Sequence, residues 1–229
     1  MKFRFWVGLL GPVACYAGAI YTTSVSSTFA IGSGGVAAGP TITFSMSTGA
    51  GMAGFGGMVS PGGVLPATIS SGVTGTSPFA VSTATSTYQA GHLITLDNSA
   101  SATPIMVPFM FSYSWMVTLG AMDPMLDFAS AGAFFHITGI DNETLTIGGV
   151  PMGEYLVSHR YTTLGGGTGG SGMATVMGAI FVPAATFSVF SVITDTDGVA
   201  SSVPEPSTAV LFAIAGAATV VRFRRRGGR

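Results

Sequence analysis

The three histidines are the side chains best suited to acid–base or metal chemistry, and each stands alone in the sequence. His92, His136 and His159 are far apart, and none belongs to a metal-ligand spacing such as H-x-x-x-H. Each is therefore expected to be a strand or loop residue with a local hydrogen bond. A Ser–His–Asp triad built from distant parts of the chain stays open, because triads are recognised by geometry and not by sequence position.

The sequence gives little support for a lysine-based mechanism or for a nucleotide-binding site. Lys2 is the only lysine and lies in a segment expected to be removed, which also excludes a P-loop. The pattern G-x-G-x-x-G occurs at Gly49–Gly54 and Gly165–Gly170, but the first match is followed by Gly and Pro instead of a helix, and no acid precedes Asp97. In a chain with 34 glycines such matches arise by chance. We expect no cofactor and no enzymatic activity.

A weak calcium pattern lies near the end of the middle region. Asp195-x-Asp197-Gly198 resembles the start of a calcium loop, and Asp141-Asn142-Glu143 offers further oxygen ligands. The full loop pattern is absent, and Asp-Gly is first of all a turn signal. No metal site is therefore predicted, and calcium stays the alternative to test.

The charge distribution excludes one class of partner. Charged residues are only 7% of the chain, and every basic residue except Arg160 lies near one of the two ends. The middle region has a net charge of −7, since Arg160 stands against eight acids: Asp97, Asp123, Asp127, Asp141, Glu143, Glu154, Asp195 and Asp197. A region with one arginine and no lysine cannot neutralise a row of phosphates, so nucleic acid is excluded.

Residues 1–19 have the composition of a secretory signal peptide. Lys2 and Arg4 precede an apolar run, and Ala17-Gly18-Ala19 provides an A-x-A cleavage site. Cleavage after Ala19 would remove Cys15, the only cysteine, so no disulfide is expected within the mature chain. The alternatives are a buried first strand or helix, and lipidation at Cys15, which Pro12 disfavours three positions earlier.

The other end contains a short apolar segment followed by arginines. Ser207–Val221 is an uncharged run of 15 residues, about 22 Å as a helix, against about 30 Å for a bilayer core. Pro206 favours a helix start there. The positive cluster after it should stay on the cytoplasmic side and leave the preceding chain outside: Arg222, Arg224, Arg225 and Arg226.

This C-terminal segment, residues 203–229, resembles the PEP-CTERM sorting domain. Pro204, Glu205 and Pro206 match the family's motif residue by residue, and the apolar segment and arginine cluster follow in the family's order. The resemblance implies an exported protein of a Gram-negative bacterium that makes exopolysaccharide, and an exosortase as the processing partner. It also implies anchoring in the inner membrane before processing. The alternative is an ordinary single-span tail anchor that happens to contain this motif.

Residues 20–202 are predicted to form one all-β domain, a two-sheet sandwich or jelly roll of about ten strands. The clearest evidence is the alternation of Phe109, Phe111, Tyr113, Trp115 and Val117 with smaller or polar residues. The predicted strands, besides the one over residues 109–117, are Tyr21–Ala30, 41–47, Phe79–Tyr88, His92–Leu96, Phe134–Ile140, Thr144–Ile147, Tyr155–Tyr161, Val176–Phe181 and Thr186–Thr194.

Other segments between the strands carry loop or turn signals. Gly49–Gly63 and Gly165–Gly172 are predicted as loops, and Ala121–Ala129 is predicted to hold one short helical turn that starts near Asp123-Pro124. Turns are predicted at Asp97-Asn98, Asp141-Asn142, Gly148-Gly149 and Asp197-Gly198.

Two functions from different classes fit these observations. The first is a structural protein of the cell surface or the exopolysaccharide and biofilm matrix, with exopolysaccharide as a further partner. The second is a carbohydrate-binding module or adhesin on the same scaffold, which an exposed, coplanar arrangement of Trp115, Tyr155 and Tyr161 would favour. A secreted hydrolase is a third alternative, which a cleft joining a histidine to two acids would support.

Overall fold

The computed structural model describes residues 18–32, 37–38, 42–59, 65–77, 82–122, 127–139, 145–164 and 167–202. Across these ranges the chain is all-β, with two antiparallel sheets and no helix. The strands are β1 (Ala19–Ile31), β2 (Ala37–Ala38), β3 (Ile42–Ala50), β4 (Met52–Val59), β5 (Ala67–Ser77), β6 (Ser82–Asp97), β7 (Ile105–Ala121), β8 (Asp127–Gly139), β9 (Leu145–Ile147), β10 (Val150–Met152), β11 (Glu154–Thr162), β12 (Gly169–Val182) and β13 (Phe187–Ser202).

The strands divide between two sheets that pack face to face. Sheet A has the order β10-β9-β12-β7-β1-β5-β4, and sheet B has the order β11-β8-β13-β6-β2, with β3 also pairing with β6. The two-sheet, all-β prediction is confirmed, and the arrangement is like a β-sandwich.

Strict alternation explains why these segments form strands that pack on one side. In β1, Tyr21, Thr23, Val25, Ser27 and Phe29 point into the core and are almost fully buried, while the residues that alternate with them face outward. The aromatic strand around Phe111 alternates in the same way within β7. Burial of these apolar faces between the sheets is the main stabilising term of the fold.

The centre of the core is a group of phenylalanines contributed by both sheets. Phe29 stacks on Phe109 with ring centroids 5.4 Å apart, and Phe190 of sheet B lies 5.3 Å from Phe29. Phe111 meets Phe135 of sheet B edge to face at 6.4 Å. The Phe29–Phe190 and Phe111–Phe135 pairs therefore join the two sheets across the core.

One side of the two-sheet body is closed by a continuous stretch of chain. β3 pairs with β6 in sheet B, and β4 pairs with β5 in sheet A, so the chain crosses between the sheets at Gly51. Gly51 has a φ of 73°, which favours glycine. The prediction that Gly49–Gly63 is a loop is therefore wrong for residues 49–50 and 52–59, which form strand.

Two further predictions around glycine are corrected. β12 begins at Gly169, so the end of the predicted loop Gly165–Gly172 is strand. Asp197-Gly198 lies in the middle of β13 and not at a turn. Gly169 has a φ of 109°, and a Cβ there would lie 2.0 Å from the Val117 carbonyl oxygen, whereas a Cβ at Gly198 would lie 2.1 Å from the ring of Tyr21.

Several strand boundaries also differ from the prediction. Phe79–Tyr88 and His92–Leu96 were expected as two strands, and β6 runs through both without a break. The helical turn predicted to start near Asp123-Pro124 falls on residues 123–126, which lie outside the described residues, between the end of β7 at Ala121 and the start of β8 at Asp127. β5 was not predicted, because its Ser, Thr and Gly residues hide the alternation that Ile69 and Val73 carry.

Both predicted targeting segments fall largely outside the described residues. Residues 1–17 of the predicted signal peptide and the whole tail, residues 203–229, lie outside them. Among the residues that are described, no helix is long and apolar enough to cross a membrane.

Candidate functional site

The side of the body opposite to β3 and β4 is open and carries an aromatic cluster. There β11 forms the edge of sheet B, and its inward-facing residues Tyr155, Val157, His159 and Tyr161 are only half-buried. They meet Trp115 and Tyr113 of β7, in sheet A. We call Tyr113, Trp115, Tyr155, His159 and Tyr161 the open-side aromatic cluster.

Trp115 is the centre of this cluster and contacts both sheets. Its indole stacks on the His159 imidazole, with centroids 3.5 Å apart and planes inclined by 7°. The indole N–H donates a hydrogen bond to the Tyr161 hydroxyl at 3.2 Å. Trp115 also packs against the buried residues on either side of it, so its ring is largely engaged in packing.

Two glycines of β12 make room for the rings. A Cβ at Gly172, which pairs directly with Trp115, would lie 2.5 Å from the indole, and one at Gly170 would lie 2.6 Å from the Tyr161 ring. The two rings therefore lie directly against the β12 backbone at these glycines. The rings shield the glycines from solvent, and the contact fixes the positions of the rings.

A second contact across the cluster joins two tyrosines. The hydroxyls of Tyr113 and Tyr155 lie 3.0 Å apart, and the Tyr113 ring stacks on Phe135 with centroids 4.3 Å apart. Burial, together with the hydrogen bond to the Tyr113 hydroxyl, raises the pKa of Tyr155 well above its usual value. Tyr155 therefore stays neutral and acts as a hydrogen-bonding group.

His159 is poorly placed for acid–base catalysis. Burial lowers its pKa, and its Nε2 atom is buried without a hydrogen-bond partner among the described residues. A general base of the Ser–His–Asp type needs a nucleophile on one ring nitrogen and an acid on the other. The ring acts here as a flat, neutral surface against Trp115.

The other two histidines lie in different surroundings. His92 is fully buried in β6, where burial lowers its pKa and a hydrogen bond to the Thr68 backbone partly opposes that shift. His136 lies on the outer face of sheet B and contacts Glu154 at 3.1 Å. The structure thus joins one histidine to one acid, on an open surface and not in a cleft.

The acids considered for calcium lie on the outer face of β13. Arg160 forms an ion pair and hydrogen bond with Asp197, and its guanidinium lies 5.5 Å from the centre of the Phe134 ring. Burial, and then the charge of Asp197, raises the pKa of Asp195. No group of three or more His, Cys, Asp or Glu side chains is arranged to hold a metal within the described residues, and Asp141 and Glu143 lie outside them.

The structure describes one of the predicted processing residues, Ala19. Ala17, the sorting motif Pro204, Glu205 and Pro206, and the four tail arginines lie outside the described residues. Ala19 is the first residue of β1 and is fully buried between Ser77 and Ala121.

The last described residue shows where the tail leaves the fold. β13 lies between β8 and β6 in sheet B and ends at Ser202, whose hydroxyl donates to Asp127 at 2.7 Å. Ser202 is thus fixed immediately before the tail segment that starts at Val203.

Sequence reasoning singled out Trp115, Tyr155 and Tyr161 but missed their partners. The alternation of Tyr155, Val157, His159 and Tyr161 along one predicted strand was the available signal that His159 shares their face. The contact between Trp115 and Gly172 left no such signal in the sequence, because it depends on the register between β7 and β12.

No family model matches the chain, and no curated protein matches it. Among solved structures, the chain is weakly similar to the secreted serine protease VesC from Vibrio cholerae, at 7% sequence identity and a TM-score of 0.16. The match covers 82% of this chain and 47% of that chain. A likeness at this level carries no argument about fold or activity.

Proposed function

We propose that this chain is an exported surface or matrix protein that an exosortase sorts through its C-terminal tail. The observation that carries the proposal is the order of Pro204-Glu205-Pro206, the apolar run Ser207–Val221 and the arginine cluster in the last 27 residues. Export begins with the signal peptide at residues 1–19. The tail then holds the protein in the inner membrane until it is processed.

The body supports a structural role in the exopolysaccharide layer. Two sheets held by a phenylalanine core, with one side closed by β3 and β4, form a scaffold suited to such a role. The side chains of the open-side aromatic cluster are engaged in contacts between the two sheets. Trp115 in particular has His159 against its face and Gly172 beneath its edge.

The alternative function is a carbohydrate-binding module or adhesin. The feature that favours it is the half-buried state of Tyr155, His159 and Tyr161, at a side of the body that none of the described strands covers. Sugar rings bind by lying flat on aromatic side chains. Trp115 is the only tryptophan left after signal removal, so its fluorescence in the exported protein reports on this site alone.

Sorting is tested by comparing the chain in a strain with an active exosortase and in one that lacks it. We expect a faster-migrating product only where the exosortase is active, and that product in the cell-surface or medium fraction. Identical migration and membrane retention in both strains would overturn the proposal. Titration of the processed product with exopolysaccharide, followed by Trp115 emission, then separates the two roles: a saturable change favours the binding module.

A further inference from the structure

The outer face of sheet A carries no charged side chain at its described positions. On β4, β5, β1, β7 and β12 the outward residues are Ser, Thr, Gly, Ala, Pro, Met, Ile and Phe. The charged residues that the structure describes lie elsewhere. Asp97, Glu154, Arg160, Asp195 and Asp197 lie on the outer side of sheet B, and Asp127 is buried between the sheets.

Part of this uncharged face is a large apolar patch on two neighbouring strands. We call it the methionine face: Met106, Met110 and Met116 of β7, and Met173, Met177 and Phe181 of β12. Met110 is directly opposite Met177, and Met106 is opposite Phe181. Met173 is 84% exposed and Met177 is 68% exposed. Exposed apolar side chains grouped in this way on a protein surface mark interaction sites, and methionine adapts well to a partner.

The methionine face also combines a projection and a recess, so its shape is compatible with contact between two copies of the same face. Beside the protruding Met173 is a shallow depression of about 490 Å³, lined by Ser26, Ser112, Ser114 and Thr175 among others. The Ser112 and Thr175 hydroxyls already bond each other at 3.0 Å, which satisfies one of their two O–H donors within the face itself. A two-fold interface needs a projection and its recess in one patch, and this face has both.

We propose that the outer face of sheet A, which includes the methionine face, is the contact between two copies of this chain. Five neighbouring strands about 4.8 Å apart cover about 24 Å, and the 11 residues of β5 span about 37 Å at roughly 3.4 Å per residue. The resulting area of about 900 Å² matches the roughly 800 Å² per partner of a stable interface.

The charge distribution selects a second copy over other occupants. Stacking sheet A on sheet A puts the two acidic outer faces about three sheet spacings apart, or roughly 30 Å, well beyond the Debye length of about 8 Å. The net charge of the body therefore opposes this association very little. An anionic lipid surface would find no cation on the face, and a glycan would find Phe181 as its one aromatic ring among the described positions.

Cross-linking of the full chain in its host membrane tests the contact directly. Cys15 is first replaced by Ser, and single cysteines are then introduced by Ser171→Cys or Thr175→Cys on the methionine side. Ser158→Cys, on the outer face of sheet B, is the matched control. A short bismaleimide is expected to give covalent dimers with the first two and monomers with the control.

A charge introduced into the face should abolish the dimer. In the Thr175→Cys background, Met173→Lys with Met177→Lys should remove the cross-linked product, because two copies would bury four uncompensated charges. Leu156→Lys, at a position 58% exposed on sheet B, should leave it unchanged. Thermal melts of the lysine variants confirm that each still folds.

Three outcomes would overturn the proposal. These are absence of cross-linking at both sheet A positions, equal cross-linking at the control position, and a dimer that survives the two lysines. Face-dependent binding to phosphatidylcholine vesicles by a monomeric chain would identify lipid as the occupant instead. The assay uses unprocessed chain, so a failed sorting proposal does not affect its result.

Discussion

The Trp115 indole lies flat on the His159 imidazole, with ring centroids 3.5 Å apart and planes 7° from parallel. Trp115 belongs to β7 of sheet A, and His159 belongs to β11 at the edge of sheet B. The stack, together with the hydrogen bond to Tyr161, therefore fastens the edge strand of one sheet to the middle of the other.

Removing this contact should destabilise the protein. Trp115→Ala is expected to lower the free energy of unfolding by about 3 kcal/mol, because it leaves Gly172 and His159 uncovered. Phe187→Ala, at a position 63% exposed, should change it by no more than about 0.5 kcal/mol. Urea denaturation measures both. Equal, small effects would show that Trp115 is a free binding surface.

Stability should fall as the solution is acidified through the histidine range. Burial lowers the pKa of both His92 and His159 in the folded state from the usual value of 6.5. Below pH 6.5 the unfolded chain therefore binds more protons than the folded one, and the stability present above pH 6.5 is lost as the pH falls. Melting temperatures between pH 8 and pH 5 measure this loss.

Single variants separate the contributions to that curve. His159→Phe keeps a ring against Trp115 but cannot be protonated, so its curve should be flatter between pH 6.5 and pH 5. The native Asp195 contributes in the opposite sense. Its pKa is raised in the folded state, so its protonation at low pH relieves the cost of burying the charged carboxylate, and Asp195→Asn removes this contribution. An unchanged slope in His159→Phe would contradict the assignment.

Two glycines offer a matched test of ring packing in the core. Tyr21 is 1% exposed, its hydroxyl lies 2.6 Å from Ser86 Oγ, and a Cβ at Gly198 would lie 2.1 Å from its ring. Gly198→Ala should therefore cost about 1–3 kcal/mol. Gly56→Ala, with nothing within 4 Å of the added Cβ, should cost nothing. Comparable urea midpoints for both variants would show that the ring moves aside freely.

The strands that could be predicted are those whose alternation is carried by large side chains. Phe109 to Val117 gives such a pattern, and so does the segment around Tyr21, and both lie in strands of sheet A. Alternation depends only on local geometry, so it is readable in one sequence. β4 and β5 were missed because their inward residues are mostly small or weakly apolar.

Two glycines that pack against aromatic rings could not be placed correctly from the local sequence. Gly172 and Gly198 were assigned to a loop and a turn, since glycine favours both. Each instead lies in a strand beneath an aromatic ring from a distant part of the chain, Trp115 and Tyr21 respectively. That reason depends on sheet register and packing, which one sequence does not display.

The start of β1 gives a prediction about the mature N-terminus. The Gly18 N–H donates to the Ser77 carbonyl at 3.0 Å, the Met122 N–H donates to the Gly18 carbonyl at 2.8 Å, and Ala19 is fully buried. A fragment of residues 18–202 should therefore melt several degrees above one of residues 20–202. Equal melting temperatures would show that cleavage after Ala19 costs the fold nothing.

The tail should divide its tasks between two sets of residues. Insertion is expected to depend on Ser207–Val221 and the arginines, because apolar burial drives insertion and positive charge fixes its direction. Processing is expected to depend on Pro204-Glu205-Pro206, which lies outside that apolar run. The two prolines keep the motif extended, and Glu205 offers a negative charge near the membrane surface for recognition.

Replacing Glu205 by Ala should leave a full-length, correctly oriented membrane protein that is no longer cut. Neutralising Arg222, Arg224, Arg225 and Arg226 together should instead disturb retention and topology. Ser201→Ala is a suitable control, since it lies in β13 just before the tail and leaves every tail residue in place. Gel mobility and protease accessibility in strains with and without an active exosortase measure both effects. Normal cutting of the Glu205→Ala chain would show that the motif is not what the exosortase recognises.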